Sequence, residues 1–317
     1  MSLFRPVLRA EFDRQSTDLR VAEGWCWFDP TGVLPSELTR LTAPRAPIAG
    51  LTMNSPRIMG ILNLTPDSFS DGGQLATVAA AVARAQDMVG VADILDIGGE
   101  STRPGAAEVS VSAEISRVVP VIKAIRAAGI MTPISVDTRK AAVARAALHA
   151  GADMINDVSA LRFDPDMVYV VAEAAVPVCL MHAQGNPGTM QKDPRYGDVL
   201  LEVYQFLAER IAFAKAAGIA TDKIIVDPGI GFGKTLQHNV TLLRGLSALH
   251  GLGCPVLLGA SRKRFIGEIG MARDTAARMP GSLAVALHGV SQGVQILRVH
   301  DTRETRQALN LQQAMTG

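Results

Sequence analysis

Eight short apolar runs recur along the chain from residue 57 onward, and this repetition limits the fold more than any other feature of the sequence. The runs are RIMGILN (57–63), ADILDIG (92–98), TPISVD (132–137), ADMINDV (152–158), VPVCLMH (176–182), DKIIVDP (222–228), CPVLLGA (254–260) and GVQILRVH (293–300). Helix-like stretches separate them, and several end at Gly, which commonly follows a helix C-terminus. Apolar strands that alternate with helices predict a parallel sheet buried on both faces. The count of eight favours an α/β TIM (β/α)8 barrel, with an open doubly wound sheet as the alternative.

Residues 1–55 do not share this repeat. Both tryptophans, Trp25 and Trp27, lie here near the turn signal DPTG (29–32), and residues 41–50 have the composition of a linker. We therefore interpret residues 1–55 as an N-terminal extension of unknown role, in the form of a small strand pair packed on the main domain, and residues 56–317 as the barrel.

Composition and charge exclude several classes of protein. The chain has 31 Lys+Arg and 30 Asp+Glu in 317 residues, a balance that leaves no basic footprint for nucleic acid or for an acidic membrane surface. No stretch approaches the ~18 consecutive apolar residues of a membrane span, and the N-terminus has no signal-peptide pattern. The three scattered cysteines have no CxxC or metal-ligand spacing, which is typical of reduced cysteines. These features predict a cytoplasmic enzyme.

Polar side chains stand at the end of every predicted strand. They are Asn63; Asp96; Asp137; Asn156 and Asp157; Met181 followed by His182; Asp227; the SRK sequence at 261–263; and Arg298, His300 and Asp301. A single residue of this kind is commonly a helix N-cap, as Asp137 before TRKAAV could be. Polar groups at all the strand ends indicate a site instead, because the C-terminal ends of barrel strands converge at one mouth.

The segment GIGFGKT (229–235) resembles a phosphate-binding P-loop but lacks its first glycine, since position 228 is Pro, and it is not GxGxxG either. Neither nucleotide fingerprint is present. The segment predicts a tight turn between strand and helix, and the neighbouring Asp227 favours a turn whose backbone approaches a flat ligand.

The strand-end residues suggest two subsites. Asp137, Asn156, Asp227 and Lys263 offer carboxylates, an amide and an ammonium, which complement a heterocycle with N–H donors on one edge and acceptors on the other. Arg298, His300, Thr102 and Arg103, with Asn63 nearer the mouth, suit a phosphorylated group. A Mg²⁺ ion bridging phosphate oxygens would accept Asn63 Oδ1 and otherwise mostly water.

At these residues the sequence resembles the dihydropteroate synthases. The matching segments are ILNLTPDSFSDGG, DIGGESTRPGA, SVDTRK, INDVSA, MHAQGNPGTMQ, DPGIGFGK, GASRKRFIG and RVHD, in the order of that family. The resemblance covers residues 57–317 and implies a (β/α)8 barrel. It also implies that p-aminobenzoate displaces pyrophosphate from 6-hydroxymethyl-7,8-dihydropterin pyrophosphate. The product would be 7,8-dihydropteroate, for folate synthesis.

The resemblance also implies residue roles. The pterin is expected at Asp137, Asn156, Asp227 and Lys263, and the pyrophosphate at Asn63, Thr102, Arg103, Arg298 and His300, with Mg²⁺ at Asn63. Met181 is expected as a further substrate-binding residue. The p-aminobenzoate pocket is expected to comprise Phe69, Pro104, Phe232 and Lys263. Asp71 is expected to stabilise a developing cation, so that the catalytic set is Asp71, Lys263, Arg298 and His300. A homodimer and competition by sulfonamides are further implications.

Three other readings stay open from the sequence. A pterin-dependent methyltransferase shares parts of the DIGGEST and DPG segments but not the full loop at 64–73 or SRK. A non-catalytic pterin-binding paralogue would keep the barrel alone, although every mouth residue is present. A sugar-phosphate aldolase would need a Schiff-base lysine at a central strand end, whereas Lys263 lies beyond its strand.

Overall fold

The computed structural model describes residues 3–64, 78–101, 108–185 and 188–316. Its eight barrel strands are β3 (Arg57–Asn63), β4 (Ile94–Gly98), β5 (Ile134–Asp137), β6 (Met154–Asp157), β7 (Val178–Met181), β8 (Ile224–Asp227), β9 (Leu257–Leu258) and β10 (Ile296–Val299). Each strand lies within one of the predicted apolar runs.

The strands form one parallel sheet in which β3 pairs with both β4 and β10, and the order runs from β8 through β3 to β9. The two edge strands meet through a parallel bridge between Val226 and Val256, where Val226 N donates to Pro255 O at 3.0 Å. The sheet therefore closes on itself, which confirms the predicted TIM barrel and excludes the open sheet.

Helices connect the strands on the outside. They are α2 (Val78–Met88), α3 (Val111–Ala127), α4 (Ala141–Ala150), α5 (Met167–Ala174), α6 (Val199–Ala216), α7 (Leu236–Arg244), α8 (Arg264–Ile269), α9 (Met279–Ser291) and α10 (Thr302–Thr316). Outward-facing strand residues such as Leu95, Val136 and Ile155 are fully buried in the core between strands and helices. No helix among the described residues combines the length and apolarity needed to cross a membrane.

Inside the barrel, side chains alternate along each strand, so residues two apart point the same way. A lower layer is mainly apolar: it contains Met59, Ile94, Met154, Cys179, Ile225, Leu257 and Ile296, each fully buried. Ser135 on β5 is a buried polar residue on the same inner face, between Asp96 and Met154. Two residues further along their strands, the same alternation brings Asp96, Asn156, Asp227 and Arg298 to the mouth. The barrel interior is therefore mainly apolar at the bottom and charged at the top.

The bottom of the barrel is covered by the chain segment just before β3. Ile48 and Leu51 form a small antiparallel bridge, and the side chains of Ile48 and Met53 are 0% and 1% exposed within the lower layer. The stretch 41–50, interpreted above as a linker, is thus partly a packed segment. Burial of these two apolar side chains favours the closed barrel by roughly 1.5–3 kcal/mol each.

The N-terminal extension contains the expected strand pair, β1 (Leu19–Arg20) and β2 (Trp27–Phe28), which are antiparallel, followed by α1 (Pro35–Thr42). Val21, Ala22, Phe28 and Leu41 form its own small core. Trp25 Nε1 donates to Val290 O at 2.9 Å, at the end of α9. Arg40 Nε donates to Gly251 O at 2.7 Å, and Arg45 donates to His250 O at 3.0 Å. The extension therefore contacts the barrel through side-chain hydrogen bonds to the carbonyl groups of Val290, Gly251 and His250.

Candidate active site

A partly buried arginine joins two carboxylates at the mouth. Arg298 on β10 donates from Nε to Asp96 Oδ2 at 2.6 Å and from NH2 to Asp137 Oδ2 at 2.7 Å. Asp96 is on β4 and Asp137 on β5, so three separate strands contribute to this group. Asn156, at the end of β6, donates from Nδ2 to Asp96 Oδ2 at 3.4 Å. The barrel thus gathers residues up to 202 positions apart in sequence.

The Asp96 and Asp137 carboxylates each have one oxygen that does not bond to Arg298. Among the described residues, Oδ1 of Asp96 and Oδ1 of Asp137 are buried and accept no hydrogen bond. Buried polar atoms are nearly always paired, and an unpaired one costs about 1–3 kcal/mol. Two unpaired acceptors in one cavity are therefore suited to a ligand that presents N–H donors.

Burial and neighbouring charges set the protonation of this group. Burial raises the pKa of Asp137 to about 7, because the opposing attraction of Arg298 is partly cancelled by the negative charge of Asp96. Burial lowers the pKa of the Arg298 guanidinium, but Asp96 and Asp137 outweigh it and the net pKa is raised. Arg298 is thus a permanent cation, whereas Asp137 titrates near neutrality.

Asp227 is a third carboxylate at the mouth. Asp227, at the end of β8, accepts from Gly229 N at 2.7 Å through Oδ1, and burial raises its pKa. A Cβ atom placed on Gly259 would lie 3.6 Å from Asp227 Oδ2 and 3.8 Å from Arg298 Cδ. Asp227 and Arg298 therefore both lie next to Gly259, the residue that follows β9.

Lys263 follows β9 and lies against the turn after β8. Its Nζ donates to Ile230 O and stands 4.2 Å from the centre of the Phe232 ring. Burial lowers the pKa of Lys263 to about 7, although Asp227 acts in the opposite direction. Lys263 and Phe232, both expected at the p-aminobenzoate pocket, are in contact with each other. Met181, at the end of β7, is 3% exposed.

The rim carries the remaining described candidates. A Cβ atom on Gly98 would lie 3.4 Å from Asn63 Oδ1 and 3.6 Å from Asp137 Cβ, which places the Asn63 amide beside the carboxylates. His300 Nδ1 lies 3.0 Å from Ser261 Oγ, so the end of β10 is tied to the SRK segment. Arg298 lies on β10 among the carboxylates, and His300 follows the strand.

The donor set of the rim is compatible with Mg²⁺. In the described parts of the chain, no cluster of three or more His, Cys, Asp or Glu side chains forms a protein cage for a metal. Mg²⁺ commonly uses only one or two protein oxygens together with water and substrate phosphates. The Asn63 amide oxygen beside Asp137 fits an ion carried mainly by a phosphorylated ligand.

Five of the predicted site residues lie outside the described residues: Phe69, Asp71, Thr102, Arg103 and Pro104. Two described residues gain importance that the sequence did not assign. Asp96 was recognised as a strand-end residue but was given no role. In the structure it lies on the inner face of the barrel, bonded to Arg298. Lys234 was considered only as part of a failed P-loop match, yet it is 3% exposed and has four polar contacts.

Comparison with known proteins gives a consistent result. The model of the pterin binding enzyme family matches residues 59–300. The dihydropteroate synthase of Escherichia coli K12 is 48% identical over 265 residues, which is 83% of this chain and 93% of that protein. The Synechocystis dihydropteroate synthase is 47% identical over 259 residues, 81% of this chain and 89% of that protein.

Solved structures agree. Xanthomonas albilineans dihydropteroate synthase with 4-aminobenzoic acid matches with a TM-score of 0.79 and 50% identity, covering 86% of this chain and 98% of that one. The Yersinia pestis enzyme in a sulfonamide complex matches with a TM-score of 0.81 and 46% identity over the same shares of the two chains. The chain belongs to the pterin binding enzyme family and, within it, to the dihydropteroate synthases.

Proposed function

We propose that this chain condenses 6-hydroxymethyl-7,8-dihydropterin pyrophosphate with p-aminobenzoate to give 7,8-dihydropteroate and pyrophosphate, a step of folate biosynthesis. The observation that carries the proposal is the pair of buried, unpaired carboxylate oxygens on Asp96 and Asp137, held on either side of Arg298. A pterin edge presents the N–H donors that these oxygens lack. Related solved enzymes contain 4-aminobenzoic acid in one case and 7,8-dihydropteroate in another.

Ring binding is assigned to the inner layer of the mouth. Asp96, Asp137 and Asp227 accept from the N–H groups of the pterin. Asn156 bonds an amide edge, and Lys263 donates to a ring acceptor. Arg298, planar and charged, offers a stacking face as well as donors. Because these groups are buried, their charge-assisted hydrogen bonds are stronger than they would be in water.

The reaction forms a bond between the aryl nitrogen and the pterin methylene carbon while the carbon–oxygen bond to pyrophosphate breaks. The electron pair leaves with pyrophosphate, and the attacking nitrogen loses a proton to solvent. An aryl amine is already neutral near pH 7, so the attack needs neither a strong base nor a Ser or Cys nucleophile. The main barrier is departure of the leaving group.

Groups at the rim are assigned to that leaving group. His300 and Arg298 supply hydrogen bonds and positive charge, and Asn63 would hold a Mg²⁺ ion through Oδ1. When bound, Mg²⁺ would supply charge neutralisation at the phosphate oxygens. The contact between Lys263 and Phe232 supports one wall of the p-aminobenzoate pocket. Roles for Phe69, Asp71, Thr102, Arg103 and Pro104 remain predictions, and Asp71→Asn should lower the single-turnover rate with little loss of pterin affinity.

The decisive assay measures pyrophosphate release from the pterin pyrophosphate in the presence of Mg²⁺, with and without p-aminobenzoate. Release that depends on the amine, with dihydropteroate as product, is expected. A pterin-dependent methyltransferase or a non-catalytic paralogue would give no such release, and this outcome would overturn the proposal. Slow release without the amine would indicate that carbon–oxygen cleavage precedes attack.

Several expectations accompany this function. The three cysteines are buried and free, which agrees with a reducing compartment, and we propose that the enzyme acts in the cytoplasm. A homodimer is also proposed, and light scattering of the purified protein would test it. We further propose that residues 1–55 form a structural extension of the 56–317 barrel, on the basis of the contacts of Trp25, Arg40 and Arg45 described above.

A further inference from the structure

The turn after β8, residues 229–233, has an unusual pattern of hydrogen bonds. Each of its five carbonyl oxygens accepts from a side chain. Lys234 Nζ donates to Gly229 O at 2.9 Å and to Phe232 O at 3.0 Å. The Ile230, Gly231 and Gly233 carbonyls accept from Lys263, Gln191 and Tyr196 respectively. Turn carbonyls usually face water, so this turn is fixed from all sides.

Lys234 also joins the turn to the neighbouring strand end. Its Nζ lies 2.9 Å from His182 Nδ1 and 3.3 Å from His182 O, directly after β7. Burial and the nearby Lys234 lower the pKa of His182 to about 2, so the imidazole is neutral and Nδ1 accepts from Lys234 Nζ. Burial also lowers the pKa of Lys234 well below its ordinary value, although Asp227 acts in the opposite direction. Lys234 Nζ therefore lies in a buried cage made of three carbonyl oxygens and one ring nitrogen.

Two glycines let the turn lie this close to the β7 loop. Gly229 has φ +66° and Gly233 has φ +62°, a region that other residues rarely adopt. A Cβ atom on either would collide with backbone, at His182 O or at Gln184 O. Even the best side chain could not replace them, so the turn is built to be clamped on residues 182–184.

The other side of the same turn faces the site. Lys263 Nζ donates to Ile230 O and lies over the Phe232 ring, and a Cβ atom on Gly231 would be 2.9 Å from Lys263 Cδ. The two lysines thus grip one turn from opposite sides. Lys263 and Phe232 belong to the proposed site, whereas Lys234 lies behind them and is too enclosed to meet a substrate.

We propose that Lys234 is a positioning residue whose Nζ clamps the turn at 229–233 onto the loop after β7, and thereby holds Phe232 and Lys263 in place for the aryl amine. The inference rests on the proposed function for its substrate and on the hydrogen bonds above for its geometry. Asp227 and Lys263, which also belong to the proposed pterin set, are bonded to this turn, whereas Asp96, Asp137 and Asn156 stand on other strands. The proposal therefore predicts a larger effect on the amine subsite and a smaller effect on the pterin subsite.

The test compares Lys234→Met, Lys234→Arg and Tyr196→Phe with Lys215→Met, a control at an exposed lysine on α6. For Lys234→Met we expect KM for p-aminobenzoate to rise about tenfold or more, as a misplaced positioning group commonly causes. The dissociation constant of a pterin without the amine should change far less. Tyr196→Phe, which removes one donor to the same turn, should give a smaller shift of the same kind, and Lys215→Met should match the parent.

A second readout needs no turnover. NMR titration of ¹³C-methylated lysines should show the pKa of Lys263, about 7 in the parent, shifted upward in Lys234→Met, because a loosened turn exposes the ammonium. Parent-like p-aminobenzoate kinetics and Lys263 titration in a folded Lys234→Met would overturn the proposal. If that variant does not fold, unchanged values in Lys234→Arg and Tyr196→Phe would overturn it equally. An inactive parent enzyme would instead refute the proposed function, while the titration would still decide the role of Lys234.

Discussion

The two ends of the barrel interior are made by the same strands but are opposite in chemistry. At the bottom, Ile94, Ile225 and Ile296 are fully buried and pack with Ile48 and Met53. Two positions further along those strands come Asp96, Asp227 and Arg298, which are also enclosed by the barrel. A step of two residues along each strand thus separates the apolar lower layer from the charged mouth.

Stability and activity depend on different ends of the barrel interior. Apolar burial at the bottom favours folding by about 25 cal/mol per Å². Buried charge at the mouth opposes folding unless it is paired, and the raised pKa of Asp137 records that penalty. Variants at the bottom should therefore change mainly stability, and variants at the mouth mainly activity. The predictions below test this division.

Arg298→Met should have the largest effect, because this residue at the mouth contributes to both stability and activity. Without its guanidinium, the Asp96 and Asp137 carboxylates are left buried and unpaired, which costs about 3–5 kcal/mol of unfolding free energy. Activity should be lost as well, since ring and leaving group both rely on this cation. Urea unfolding at pH 8 and steady-state kinetics measure the two losses.

A matched control is Arg145→Met on α4, where Arg145 NH1 lies 2.9 Å from Glu173 Oε2 and both side chains are more than half exposed. An exposed pair of this kind contributes at most about 1 kcal/mol. Equal stability losses in the two variants would show that the mouth carboxylates are not paired as described.

Ile48→Ala should have the next largest effect, and on stability alone. The side chain is 0% exposed at the bottom of the barrel, and removing it leaves a cavity worth about 2–5 kcal/mol. Ile48→Val is the control and should lose only about 0.5–1.5 kcal/mol. Chemical denaturation gives the free energy, and kcat/KM of the folded fraction should match the parent. A large fall in kcat/KM would mean that packing at the bottom of the barrel also determines the geometry of the mouth.

The pH dependence of pterin binding should separate the mouth groups. Burial raises the pKa of Asp137 to about 7, so the protonated carboxyl stabilises the free fold, and this contribution is lost as pH rises through about 7. A ring N–H needs the ionised carboxylate, so affinity should rise with pH up to that point, by up to about tenfold per pH unit. Burial lowers the pKa of Lys263 to about 7, so at higher pH the amine loses its positive charge, its hydrogen bond to the ring weakens, and affinity falls again.

Titration calorimetry of a dihydropterin between pH 5 and 9 would record this bell-shaped profile. Asp137→Asn should weaken binding and abolish the acid limb while the alkaline limb remains, whereas Lys263→Met should do the reverse. An acid limb that persists in Asp137→Asn would assign it to another group, with buried Asp227 as the first candidate.

Most of the barrel was predictable from sequence because its strands are apolar on both faces and its helices end at recognisable signals. All eight apolar runs contain a strand, and the polar residues after them do meet at one mouth. The period of two along each run also places side chains such as those of Ile94 and Asp96 on the same, inner face of the sheet. These are local properties, and local patterns are what a sequence states most directly.

The contacts between individual side chains were harder to predict from the sequence. Nothing near Arg298 in sequence indicates that it lies between carboxylates on β4 and β5, since the pairing depends on the closure of the sheet. Lys234 was equally hidden, because a buried lysine beside glycines resembles a phosphate loop until the acceptors of its protons are known. The packing of residues 48–53 under the barrel was missed because a short Pro- and Ala-rich stretch has the composition of a linker.

The smallest predicted effect lies furthest from the mouth, where the extension meets the barrel. Trp25→Phe removes the bond from Nε1 to Val290 O, 2.9 Å long, and should lower the unfolding free energy by about 1 kcal/mol. Trp27→Phe is its counterpart, because Trp27 Nε1 donates to Glu11 Oε2 at 2.7 Å inside the extension itself. Neither should change kcat/KM. If thermal unfolding shows a larger loss for Trp27→Phe, the extension supports itself rather than the barrel, and its proposed structural role would have to be abandoned.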